Sequence, residues 1–131
     1  MAVVLINNMK LIFPQEMEVW YLLPAIRKRL ALGLIGKGML QKDVAKIMNL
    51  TEAAISQYKK EKRANDDFLG ARFDSKINSS VEKIAADHNL FFSEVMALTN
   101  LVKNSGVLCD LHKQIIPTEL PCDSCELKVC M

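Results

Sequence analysis

Four cysteines fall within the last 23 residues of the 131-residue chain, at Cys109, Cys122, Cys125 and Cys130. Cys122-Asp123-Ser124-Cys125 is a C-x-x-C pair; Cys130 lies five residues beyond it and Cys109 thirteen before it. In a secreted protein such a cluster would read as a disulfide staple. The opening Met1-Ala2-Val3-Val4-Leu5-Ile6 has no basic lead and is broken by Asn7-Asn8, so a secretory signal is not expected. In a reducing cytosol, clustered thiols more often hold a metal. Two ligand sets compete. Cys109, Cys122, Cys125 and Cys130 supply four sulfurs, which suits a 4Fe-4S iron–sulfur cluster or a four-cysteine zinc site. Cys109-x-x-His112 with Cys122-x-x-Cys125 would instead form two zinc knuckles and leave Cys130 spare. The use of Cys130, with no other sensor pocket visible, favours the cluster; zinc is the alternative. The bland reading leaves the thiols free or in a disulfide, since buried cysteine is often just a small hydrophobe. His88, between Asp87 and Asn89, reads as a surface residue.

A second kind of chemistry is written between residues 41 and 63. Val44, Met48, Leu50, Ile55 and Tyr58 put apolar side chains where two short helices crossing through a tight turn would bury them. Ala45 is small where the two backbones approach. Thr51 suits the N-cap of the second helix, its hydroxyl accepting from an orphan backbone N–H. Glu52, Ala53, Ser56 and Gln57 are then left pointing outward at the start of that helix, where side chains reach base edges in the major groove of double-stranded DNA. Lys59, Lys60, Lys62 and Arg63 follow directly. They suit phosphate contacts beside the groove, and equally a solvated helix end where cations meet the C-terminal dipole. Arg27, Lys28 and Arg29 are weaker phosphate candidates, because a basic run on a helix is usually just solvated.

The stretch from Gln41 to Tyr58 resembles the helix-turn-helix of lambda-repressor-like regulators of the xenobiotic-response-element type, over roughly residues 19–63. In that resemblance Gln41 opens the first helix of the pair and touches a phosphate. Asn49 stands where the family usually has glycine in the turn, and asparagine is the next residue to tolerate a left-handed backbone. Glu52 stands where many relatives have glutamine. A carboxylate only accepts, for example from cytosine N4, whereas glutamine binds adenine in two places, so the family's base preference does not carry over. Phe13-Pro14-Gln15-Glu16, Leu23-Pro24-Ala25-Ile26-Arg27, Ala53-Ala54-Ile55-Ser56-Gln57-Tyr58 and Gly106-Val107-Leu108-Cys109-Asp110-Leu111-His112 look like a group of small archaeal regulators whose tails also end with a cysteine pair. That resemblance implies an archaeal source and a role in transcription.

The elements that must position these residues read as helices. Val19, Leu22, Leu23, Ile26, Leu30 and Leu34 recur at three- and four-residue steps, one buried helical face after Pro14. Pro24 within that stretch implies a helix beginning near Leu23 or a kink there. Gly33, Gly36 and Gly38 loosen its end. Helices over about 41–48 and 51–60 follow, and 61–67 is too polar for core and reads as a loop or linker. Ile77, Val81, Ile84 and Ala85 predict a fourth helix stopping near Asn89. Val95, Leu98 and Val102 predict a fifth, opened around Ser93 and ending at Gly106, a residue suited to the left-handed cap. Beyond Cys109 there is no clear period.

Half of the residues are hydrophobic, enough for a core, and no run approaches the ~18 apolar residues of a membrane span. The net charge of +2 divides into +6 over residues 1–63, eleven Lys/Arg against five Asp/Glu, and −4 over the rest, six against ten. A polyanion would be drawn to the first half alone. The expectation is an all-α protein: a DNA-binding domain over 1–66, then a helical dimerisation segment and metal-holding tail over 67–131. It would act in the cytoplasm as a homodimer on double-stranded DNA, two half-sites being the usual arrangement, with the helices of 75–104 as the interface. A protein-interaction module carrying structural zinc is the alternative. No nucleotide loop, supported triad or paired carboxylates argue for an enzyme.

Overall fold

The computed structural model describes residues 13–60 and 65–115; the expectations for the opening arm, Lys62, Arg63, Cys122, Cys125 and Cys130 lie outside these. The described residues are all-α: six helices and no strand. Helix α1 is composite, an α-turn at Pro14–Met17, a π-turn at Glu18–Leu22 and an α-helix at Leu23–Gly36. Then come α2 (Gln41–Met48), α3 (Glu52–Lys59), α4 (Asp74–Ala86), α5 (Phe91–Asn104) and α6 (Val107–Ile115), with short 3-10 turns at Asp67–Leu69 and His88–Leu90. None of these helices is long and apolar enough to cross a membrane.

Pro24 does not end α1. Its ring would meet the carbonyl of Trp20 in a regular α-helix, and it has no N–H to donate there. The π-turn absorbs the conflict: the Leu23 N–H reaches back five residues to the Glu18 carbonyl, and helical backbone runs on. The extra residue in that turn rotates the faces. Met17 and Leu22 are fully buried, whereas Val19, expected on the buried face, is 58% exposed and Trp20 is 55% exposed. Further along, Ile26, Leu30 and Leu34 are buried as their spacing predicts.

The core is built around α1, against which α2, α3, α4 and α5 all pack. Val44, Ile55, Ile77, Val81, Ile84, Leu98 and Val102 meet it in one continuous apolar cluster. Leu69 and Phe73, which no periodic pattern marks, are also buried there. Gly33 is not a loosened helix end: it lies against Val81 where α1 crosses α4.

Two of the three residues of the basic run on α1, Lys28 and Arg29, are likewise not solvated. Lys28 is only 3% exposed, and its ammonium donates to Asp66 Oδ1 at 2.9 Å. Arg29 donates from Nε to Asp66 Oδ2 at 2.7 Å, from Nη2 to the Asp66 carbonyl at 3.2 Å, and from Nη1 to Asp74 at 3.3 Å. Burial pushes the Asp66 carboxyl up, but the hydrogen bonds and charges of Arg29 and Lys28 outweigh it and hold the group below its ordinary value. The chain that leaves α3 is thus pinned back onto α1.

Helix α5 ends at Asn104, and Gly106 takes a positive φ of 88°. The chain then turns directly into α6, although its residues show no clear period. Val107, Leu108 and Cys109 are buried at its start, and Leu111 packs on the core.

Candidate nucleic-acid interface

Two capping devices fix the geometry of residues 38–60. Gly38, with φ 96°, closes α1, and the Met39 N–H reaches the Leu34 carbonyl. One helix later the same device recurs with asparagine. Asn49 sits at φ 54°, ψ 45°, and the Leu50 N–H donates to the Ala45 carbonyl at 2.9 Å, satisfying an orphan acceptor at the end of α2. Only three residues, 49 to 51, then separate α2 from α3. Thr51 is extended, and its Oγ1 accepts from the Ala54 N–H at 3.1 Å, so the first turn of α3 is capped as its sequence predicts.

Packing holds the pair rigidly. Val44, Ala45, Met48, Ala54, Ile55 and Tyr58 are buried. Leu50 packs against the same core, half-buried. The side that remains is the one the sequence leaves polar or small. Thr51, Glu52, Ala53, Gln57, Lys59 and Lys60 are exposed, and Ser56 and Gln41 are half-buried. Gln41 is the first residue of α2. The described candidates on α3 therefore share the outer side of that helix, while Gln41 stands at the start of α2.

The structure adds two residues that the sequence reading passes over. Lys42 and Lys46, one turn apart on α2, are exposed and line an open cleft of about 480 Å³ together with Ala45, Asn49, Leu50 and Glu52. Their spacing of four is the available signal, since residues four apart share a helix face. Lys42, Lys46, Lys59 and Lys60 have no ion-pair partner among the described residues. Four other cations are treated differently: Lys28 and Arg29 are neutralised by Asp66, Lys37 pairs with Glu82, and Lys103 pairs with Glu18. The α2–α3 surface thus gathers four lysines with no ion-pair partner among the described residues, and a positive field of that kind attracts polyanions.

Of the candidate metal ligands, Cys109 and His112 are described, one turn apart on α6. Cys109 is buried and disulfide-bonded. A sulfur in a disulfide is not the thiolate that zinc or a cluster needs, so a four-sulfur set through Cys109 requires the reduced chain. Among the described residues no group of three or more His, Cys, Asp or Glu side chains could hold a metal. His88 is exposed in its 3-10 turn.

No family model matches the chain, and no curated protein or solved structure matches it significantly.

Proposed function

We propose that the chain is a sequence-specific DNA-binding transcriptional regulator that lays α3 in the major groove as the second helix of a helix-turn-helix. The observation that carries this reading is the accessible start of α3: a threonine-capped helix, presented by a left-handed turn at Asn49, with Glu52, Ala53, Ser56 and Gln57 on its outer side. Base contacts would come from these four residues, an amide side chain such as that of Gln57 carrying both a donor and an acceptor. Lys42, Lys46, Lys59 and Lys60, with Lys62 and Arg63 beyond them, would hold the phosphates and set register without reading sequence. A homodimer would place two copies of α3 one helical turn of DNA apart.

The cysteine tail is a separable part of the proposal. Once the bond at Cys109 is reduced, Cys109, Cys122, Cys125 and Cys130 offer four thiolates, the donor set of an iron–sulfur cluster or of an all-thiolate zinc site, through which the regulator would sense redox or iron–sulfur state.

The test is DNA binding at graded salt, using duplexes enriched from a random pool. The expected result is an affinity that falls steeply with log salt, with a selected sequence retained over competitor DNA. Binding that is absent, or that ignores salt, overturns the reading and leaves a protein-interaction module in its place.

A further inference from the structure

Helix α5 turns an unusual side to solvent. Residues 92, 93, 96, 97, 100, 101 and 104 face outward, and none carries a charge. The two charged residues of the helix are half-buried and engaged: Glu94 accepts from the Ser80 hydroxyl at 2.7 Å, and Lys103 pairs with Glu18 at 2.6 Å. By contrast, the outward residues of α4 include Asp74, Lys76, Glu82 and Lys83, and those of α6 include Asp110 and Lys113. On the uncharged side of α5, Phe92 is 74% exposed, Met96 48% and Leu101 37%.

We propose that this side of α5 is the surface on which a second copy of the chain docks, helix against helix and antiparallel about a two-fold axis beside Met96 and Ala97. The inference names the dimer contact that the DNA-binding reading calls for, and its test needs no DNA.

Electrostatics selects the occupant. An uncharged helix face offers nothing to a basic or acidic partner, and a charged partner would lose hydration there without compensation. Its complement is another uncharged face, which the chain itself supplies. The order of side chains is also self-matching. In an antiparallel crossing centred between positions 96 and 97, Phe92 comes level with the partner's Leu101, Ser93 with the partner's Asn100, and Met96 with the partner's Ala97. Each large apolar group meets an apolar one, each polar group meets a polar one, and no like charges are brought together. The area is in proportion. At ~200 Å² for a whole large side chain, the three apolar residues expose roughly 300 Å². That is the apolar centre of an interface of ordinary size, about 800 Å² per partner with a polar rim.

The oligomeric state of the full chain tests this through paired charges at one position. The wild type should have twice the 14.7 kDa chain mass at micromolar concentration by sedimentation or light scattering. Met96→Glu and Met96→Lys, each placing like charges beside the two-fold, should run at the single-chain mass with unchanged helical circular dichroism. Mixing the two variants should restore the doubled mass, which a merely misfolded variant would not do. Phe92→Ser should weaken association at least tenfold. A monomeric wild type, a Met96→Glu chain that stays dimeric, or a mixture that stays monomeric would each overturn the proposal. Salt-dependent DNA binding by a monomer would sink this inference alone; a dimer indifferent to DNA would sink the other.

Discussion

A β-carbon placed on Gly33 would stand 2.6 Å from Cγ2 of Val81, closer than packed atoms approach. The crossing of α1 and α4 therefore has no room for a methyl group. Val81 is buried and β-branched, with one strongly preferred rotamer in a helix, so it cannot swing aside. Gly33→Ala gains up to ~1 kcal/mol in helix propensity but should lose about 1–3 kcal/mol to overpacking, a net destabilisation. Gly36→Ala is the control. Nothing lies within 4 Å of a β-carbon there, so that substitution should stabilise by up to ~1 kcal/mol. Urea midpoints for the two variants should move in opposite directions.

Asp66 holds Lys28 and Arg29 together, and its removal leaves a buried ammonium without that carboxylate. Asp66→Ala should cost about 3 kcal/mol in unfolding free energy, well above the worth of a surface pair. The group's folded value lies below its ordinary 3.8, so its contribution is present above that pH and is lost as pH falls through the folded value. Unfolding titrations between pH 5 and pH 2 should show a slope that Asp66→Asn reduces.

The turn before α3 makes two opposite demands. Thr51→Ala removes the acceptor for the Ala54 N–H and should cost about 1 kcal/mol, with Thr51→Asp restoring most of it. Asn49→Gly should be tolerated in the left-handed turn, whereas Asn49→Ala should lose about 1 kcal/mol. Thermal melts distinguish the four variants.

Under the DNA-binding proposal, Lys42 and Lys46 would bear on DNA rather than on stability. Changing either to Gln should leave the melting temperature within a degree or two and lower the slope of log affinity against log salt by about 1 per protomer. Gln57→Ala should behave differently, reducing the preference for the selected duplex while the slope stays.

For the tail, the reduced chain purified without oxygen is the material to examine. Brown protein absorbing near ~400 nm, with iron and sulfide in equal amounts, is expected if four thiolates hold a cluster. Colourless protein with one bound zinc would give the alternative. Cys125→Ser should abolish the metal in either case.

The helices of the core are readable because their apolar residues repeat at helical steps, and α2 with α3 is readable to the residue through Ala45, Asn49 and Thr51. What escapes has local causes. The π-turn moves Val19 outward because one residue more per turn shifts every face, and nothing in the spacing of apolar residues announces that. Lys28 and Arg29 look solvated in the sequence because their partner lies 37 or 38 residues away, at Asp66. Leu69 and Phe73 sit in a turn too short to show a period. Helix α6 hides because Gly106 does end α5, with a left-handed φ, and the new helix that starts directly after it is only nine residues long, too short to show a clear period.

The chain has a single tryptophan, and the π-turn sets it half in water at one end of the longest helix. Its emission will already be partly red-shifted in the native protein, so unfolding will change the spectrum little. Anything that settles on that end of the molecule, however, will report itself as a blue shift without any label being attached.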